Sequence, residues 1–291
     1  RGDFRNWVDQ SNRPIAIYDP STIRANPAGT GSIRDVFPNN QIPANRISPT
    51  AASIATFGAG VAPNRGFAPG TSGYVRQNYL VTGGTEITPT DKWSVKGDQL
   101  FGSNHRVSFL WNTTEFRRKP GPSGPPGLPQ PLWSGQLQAW DTEAYRLTHD
   151  WTISSHMVNH LSFAKNTFTK NSFSANVDKN WKDKVCIKNV VDCNQNFPTI
   201  GFSGEFSGWG GASYNGTNQP GWGLKNDLSY VRGAHTFKFG FAFQEQNADG
   251  FGQQDIAGRA DFSFLSTSIP GNTSFPASGG SSFASFLVGD A

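Results

Sequence analysis

Charge is scarce in this sequence. Asp, Glu, Lys and Arg make up 16 % of it and apolar residues 35 %, against about 25 % and 45–50 % in average soluble domains. No run of eighteen apolar residues occurs, which excludes a transmembrane helix. Strong helix formers are few, while Gly (33) and Pro (19) are frequent, which excludes a helical bundle. The net charge of +4 is small and scattered, with Arg117-Arg118-Lys119 the one dense cluster. A nucleic-acid surface would need a basic stripe, so no nucleic-acid partner is expected. What is abundant is aromatic: 23 Phe and 9 Trp bring the aromatic share to 13 %, too much for a disordered tail. The remaining classes are β-rich: a secreted sandwich, a solenoid or an outer-membrane barrel.

Cys186 and Cys193 are the only cysteines. Their spacing suits a small loop closed by one disulfide, which would imply an oxidising compartment. Two free thiols are the alternative; a metal site lacks both a C-x-x-C motif and an intervening His. The chain starts at Arg1 without an initiator Met or signal peptide. It is therefore expected to be an internal piece of a longer protein.

Residues 1–77 are punctuated by Pro from Pro14 to Pro69 and show little periodicity, so they are expected to form a long ordered loop region. One short helix is predicted at Pro49–Phe57, with Ser48 as its N-cap and Pro49 at its first position. Residues 78–291 differ. Val107, Phe109 and Trp111 alternate with Arg106, Ser108 and Leu110. Tyr145 and Leu147 alternate with Arg146 and Thr148. Phe237, Phe239, Phe241 and Phe243 alternate with Thr236, Lys238, Gly240, Ala242 and Gln244. Period two over such lengths predicts strands with one apolar and one polar face.

Six strands are predicted: Thr90–Leu100, His105–Phe116, Ala139–Trp151, Met157–Phe168, Gly223–Val231 and His235–Asn247. Ten residues tilted near 45° rise about 23 Å, close to the apolar band of an outer-membrane barrel. Their connections run short, long, short, long, short. An up-and-down barrel with short periplasmic turns and long outer loops has this rhythm. The expected fold is therefore all-β: an antiparallel up-and-down sheet of six to eight strands, part of a transmembrane barrel with long extracellular loops. Phe109, Trp111, Phe237, Phe239, Phe241 and Phe243 are expected to face lipid. Arg106, Ser108, Arg146, Thr148, Asp227, Lys238 and Gln244 are expected to face the lumen.

Further residues carry a resemblance. Arg1-Gly2-Asp3-Phe4, Ile17-Tyr18-Asp19-Pro20, Asn40 to Pro49, Trp93 to Arg106, Asp227 to Gly240 and Phe283 to Gly289 follow one another in the order found in TonB-dependent outer-membrane receptors. The chain resembles an internal part of the barrel of the Oar-like, carboxypeptidase-regulatory-like kind. That resemblance implies an outer-membrane location in a Gram-negative bacterium, lipid around the barrel, and import of a bulky nutrient or peptide. It also implies energy from the TonB complex, reached through a plug and a TonB-contacting box that are missing from these residues.

No constellation for catalysis is present, and neither an enzyme nor a cofactor is expected. His156 and His160 have the spacing of a helical zinc pair, but they lie in a strand pattern without the intervening Glu. No nucleophile elbow or phosphate-binding loop occurs. Arg1-Gly2-Asp3 matches an adhesion tripeptide and reads as a loop remnant. Trp93, Trp111, Trp140, Trp151, Trp222 and Tyr230 fit the interfacial girdles of a barrel. Trp133, Trp181 and Trp209 fall in the long loops, where they could stack on a ligand or simply pack. The competing function is a secreted β-rich carbohydrate-binding or adhesin-like protein.

Overall fold

The computed structural model describes residues 2–291 apart from 77, 81–84, 122, 125–127, 134, 178, 188–189, 191–192, 194–195, 204 and 212–213. Arg1, and with it the adhesion tripeptide, lies outside the described residues. The largest element is one antiparallel sheet of seven strands. They are β1 (Thr90–Phe101), β2 (His105–Arg118), β3 (Gln136–Ser154), β4 (Met157–Ser174), β5 (Tyr214–Arg232), β6 (His235–Gln246) and β7 (Asp249–Gln253). β1 to β6 pair in sequence order, an up-and-down meander, and β7 pairs with the start of β5 beyond the end of β6. The sheet is open: neither β1 nor β6 has an outer partner strand among the described residues.

Tight turns join β1 to β2 and β5 to β6. Gly102 and Gly233 supply the positive φ, +64° and +60°, that such turns require. At the other end the strands run further than their alternation predicts. β3, β4 and β5 span 19, 18 and 19 residues. Pro220 hides the true start of β5. It falls at the step where β5 exchanges β6 for β7 as its partner, a break that tolerates a residue without an N–H.

The tightly packed core lies outside the sheet. Phe4, Trp7, Ile17 and Ile54 from the first sixty residues pack with Leu132 from the β2–β3 connection. Trp181, Phe197 and Phe202 of the β4–β5 connection and Phe262, Phe286 and Leu287 near the end complete the cluster. The predicted boundary at residue 77 therefore divides the sequence but not the packing. The Pro-rich segment is half of a folded module, and residues after Gln253 leave the sheet to supply the other half. This core is assembled from short elements and irregular segments far apart in sequence, which leave no long period to detect.

The module has one short parallel strand pair, Thr199–Phe202 with Arg259–Phe262, and polar side chains supplement it. The Asn40 amide donates to the carbonyls of Phe4 and Ile15 at 2.8 and 2.9 Å and accepts the Ile17 N–H at 2.7 Å. Asp19 receives both terminal nitrogens of Arg46, at 2.7 and 2.8 Å, and the N–H of Ser21. Helix α1 (Pro49–Thr56) starts as predicted, with Ser48 Oγ accepting from the Ala51 N–H. Helix α2 (Ser282–Val288) is capped by Ser281 and ends at Gly289 with φ +76°. The Leu287 carbonyl accepts the Ser48 N–H at 2.7 Å, which ties the two helices together.

Candidate functional site

The register sorts every strand residue onto one of two faces, because directly paired residues point the same way and successive residues point opposite ways. One transverse row reads Gly97, Phe109, Leu147, Phe163, Leu224 and Phe243. The row two residues toward the long connections reads Val95, Trp111, Tyr145, Lys165, Trp222 and Glu245. Phe109, Trp111, Phe237, Phe239, Phe241 and Phe243 thus share one face, the apolar one. The four β6 phenylalanines are 44–61 % exposed: no second layer of described protein covers them.

Two aromatic rows bound this face. Toward the long connections, the indole N–H groups of Trp111 and Trp222 donate to Glu143 and Glu245 at 3.3 and 3.1 Å, and the Tyr145 hydroxyl donates to Glu143. Toward the tight turns lie Trp151 and, one row further on, Tyr230. The step from Tyr230 to Trp222 on β5 is about 26 Å along the strand, or about 19–22 Å of height at a tilt of 35–45°. Between the two rows the apolar face carries no Asp, Glu, Lys or Arg. Four of its polar members pair with one another, and Gln99 donates to the Leu100 carbonyl at 2.8 Å. Asn159 and Asn226 exchange reciprocal amide hydrogen bonds of 3.0 Å, and the His105 and His149 rings stack with their nitrogens 3.0 Å apart.

The opposite face is polar. Arg106, Asp150, His160 and Asp227 form one row across β2 to β5. Asp98 pairs with Arg106 at 3.1 Å and Lys96 at 3.3 Å, Asp150 with His160, and Asp227 with Lys225 at 2.8 Å. Arg146 and Lys238, both predicted on this face, lie on it and form no ion pair with a described residue. Small residues such as Ala164, Gly223 and Ala242 leave shallow depressions beside Ser162 and Lys225. Sequence reasoning found Arg106 and Asp227 and missed Asp98, Asp150, His160 and Lys225. Their signal was present, since each has the parity of the predicted polar positions once the register is known.

Trp140 corrects an expectation. Its even parity places it on the polar face, opposite Phe116 and Lys170, not in an interfacial girdle. Trp181 takes the second of its two alternatives and packs. It is 4 % exposed, edge-on to Phe57 and Phe197, with its N–H donated to the Asn176 carbonyl at 2.6 Å. Sealed in the module core, it cannot stack on a ligand. Trp209 is half-buried against Phe202 at 5.0 Å, and Trp133 is half-buried where it bridges to Gly210. Cys186 and Cys193 are joined by a disulfide, with Cα atoms 5.3 Å apart. His156 sits in the β3–β4 turn while His160 pairs with Asp150. No cluster of three metal-ligating side chains occurs among the described residues.

The module leans over the polar face. At the end of β4, Ser172, Ser174 and Asn176, which share that side, are at most 2 % exposed, while the intervening residues stay partly open. Asn176 also donates to the Pro131 carbonyl at 3.3 Å, so the β2–β3 connection lies against the same side. The sheet's polar wall is thereby roofed at one end.

A family model described as an outer membrane beta barrel domain matches residues 1–291. No curated protein matches the chain.

Proposed function

The chain belongs to the outer membrane beta barrel domain family, and from that membership we propose that it is a wall segment, with its outer module, of a TonB-dependent receptor that imports a bulky nutrient or peptide. The family places the protein in the outer membrane of Gram-negative bacteria. In this reading the apolar face lies against lipid and the polar face lines the lumen. The long connections and the module they build stand outside the cell. The two open edges require pairing with further strands, because lipid does not satisfy free backbone groups. Contact with the TonB complex belongs to parts of the receptor outside these residues.

One observation carries the proposal: a folded module stands over the polar side of strands that outrun the apolar band. A 19-residue strand is about 63 Å long and rises about 45–50 Å at a tilt of 35–45°, roughly twice the aromatic-bounded height. The surplus lifts the module clear of the membrane and sets it over the mouth. No bond is made or broken in this mechanism. The wall supplies fixed charge and small side chains along the path, and the module meets ligand first.

Uptake of a labelled peptide pool by cells that carry the receptor tests this. Import should depend on the receptor and cease when TonB is removed or the proton gradient is collapsed. Import that persists without TonB would reduce the protein to a passive barrel. Surface binding without import would make it an adhesin.

A further inference from the structure

Three polar groups meet on the polar wall directly beneath the module, and no described residue completes them. Trp140 on β3 is paired in register with Lys170 on β4, and Gln138 with Ser172 two residues further on. The four side chains form a square on one face, with edges of about 5 Å across the strands and diagonals of about 7–8 Å. The Trp140 ring stacks on Phe116, with centroids 4.5 Å apart, and carries the Lys170 ammonium 5.5 Å from its centroid. Lys170 forms no ion pair with a described residue. The Trp140 indole nitrogen and the Ser172 hydroxyl are shut off from water and have no hydrogen-bond partner among the described residues. Ser172 is 1 % exposed.

Buried donors without acceptors cost free energy, and native structures rarely leave two side by side. The charge pattern says what would satisfy them. The row below on this face reads Thr114, Thr142, Phe168 and Gln219, and the row above reads Arg118, Gln138, Ser172 and Asn215. Neither contains a carboxylate. Glu86 is held by Arg118, in the row above, at 2.7 Å. The patch therefore offers an ammonium, an indole N–H and a hydroxyl beside the rings of Phe116, Trp140 and Phe168.

We propose that Trp140, Lys170 and Ser172 form a ligand subsite under the module for a carboxylate carried next to an apolar group, such as the C-terminal residue of a peptide. The Lys170 ammonium takes the carboxylate, the Trp140 N–H and Ser172 hydroxyl donate to its oxygens, and the apolar group packs on the aromatic rings. Both donors are covered, so entry requires the side chains packed over them to shift. The proposal rests on the reading that the polar face lines the lumen.

The test uses the receptor that carries this wall segment, in detergent micelles, with N-acetylphenylalanine and its amide as probes. The acid should bind about tenfold more tightly than the amide, the size of one charge-assisted contact. Lys170→Met should abolish that preference, and Trp140→Phe, which keeps the stacking ring, should weaken the acid alone. Equal binding of the two probes, or binding of neither at millimolar concentration, overturns the subsite, and neither result depends on a variant folding. A nitroxide at Ala242→Cys, on the polar face at the height of the apolar band, separates the two failures. If it contacts water and the probes are not discriminated, the subsite alone is wrong. If it contacts lipid, the lumen assignment is wrong with it.

Discussion

Trp222 donates its indole N–H to Glu245 across the β5–β6 pair at 3.1 Å, while its ring lies 5.0 Å from Phe243 one row nearer the tight turns. A single side chain thus marks a change of environment. Its body continues the apolar surface and its polar edge meets the first carboxylate beyond it. Trp111 repeats the arrangement with Glu143 on the neighbouring pair β2–β3. Amphipathic rings with the polar tip wet and the body dry are what a membrane boundary selects.

A charge placed between the two aromatic rows should be costly on one face only. Phe241→Arg is expected to destabilise the receptor that carries the chain, in phospholipid vesicles, by about 2–4 kcal/mol, as lipid-facing Arg does near a bilayer midplane. Ala242→Arg, one residue on and facing the other way, should cost well under half of that. Urea titrations of the two variants in vesicles give the comparison.

The Asn159–Asn226 pair on the apolar face should be strongly non-additive. Asn226→Leu alone strips the Asn159 amide of its partner oxygen and donor, leaving only a 3.4 Å bond to the Asp227 carbonyl, and should cost about 1–3 kcal/mol. Replacing both by Leu should recover most of that loss. A double-mutant cycle in vesicles measures the coupling, and a coupling near zero would remove lipid from that surface.

Trp181→Ala should open the module core without disturbing the sheet. The cost, about 3–5 kcal/mol for a buried aromatic, should appear as lost near-ultraviolet dichroism and faster proteolysis in residues 1–60. The strand signal should remain. Ligand capture through the rim should fall only as far as the module unfolds.

The module's stability should depend on pH at both ends. Burial raises the Asp19 carboxyl, but the Arg46 guanidinium and the Ser21 N–H and hydroxyl outweigh it and hold the group below its ordinary range. That stabilisation is present above the unfolded value and is lost as pH falls through the folded one. Glu205 is the opposite case. Burial pushes its carboxyl up against hydrogen bonds from Ser282 and Ser281. The module is thus most stable with Glu205 protonated, and weakens as pH rises through the raised value. Glu205→Gln keeps an acceptor at the start of α2 and should flatten the upper limb in a melting-temperature profile. Asp19→Asn should lower stability and flatten the acid limb.

The sheet was legible because its signal is local. The alternation through Phe237 to Phe243 fixes both faces of β6 without knowledge of any partner. Trp140 was missed although the same parity rule covers it: its position near a strand end outweighed the count from Tyr145 and Leu147. The module was illegible for a different reason. Trp7 packs against Phe206 at 5.6 Å and donates its N–H to the Gly280 carbonyl at 3.1 Å. Contacts so distant in sequence leave no period. A Pro-rich segment that is ordered by one asparagine at position 40 has the composition of a loop.

Nitroxides placed one at a time at residues 236 to 244 of β6, with the receptor that carries the chain in vesicles, test the central claim most directly. Collision with oxygen, which concentrates in lipid, should be high at 237, 239, 241 and 243 and low at the residues between, with a water-soluble nickel complex showing the reverse. Oxygen access that is flat along the strand, or low at those four positions, would contradict a wall bathed in acyl chains.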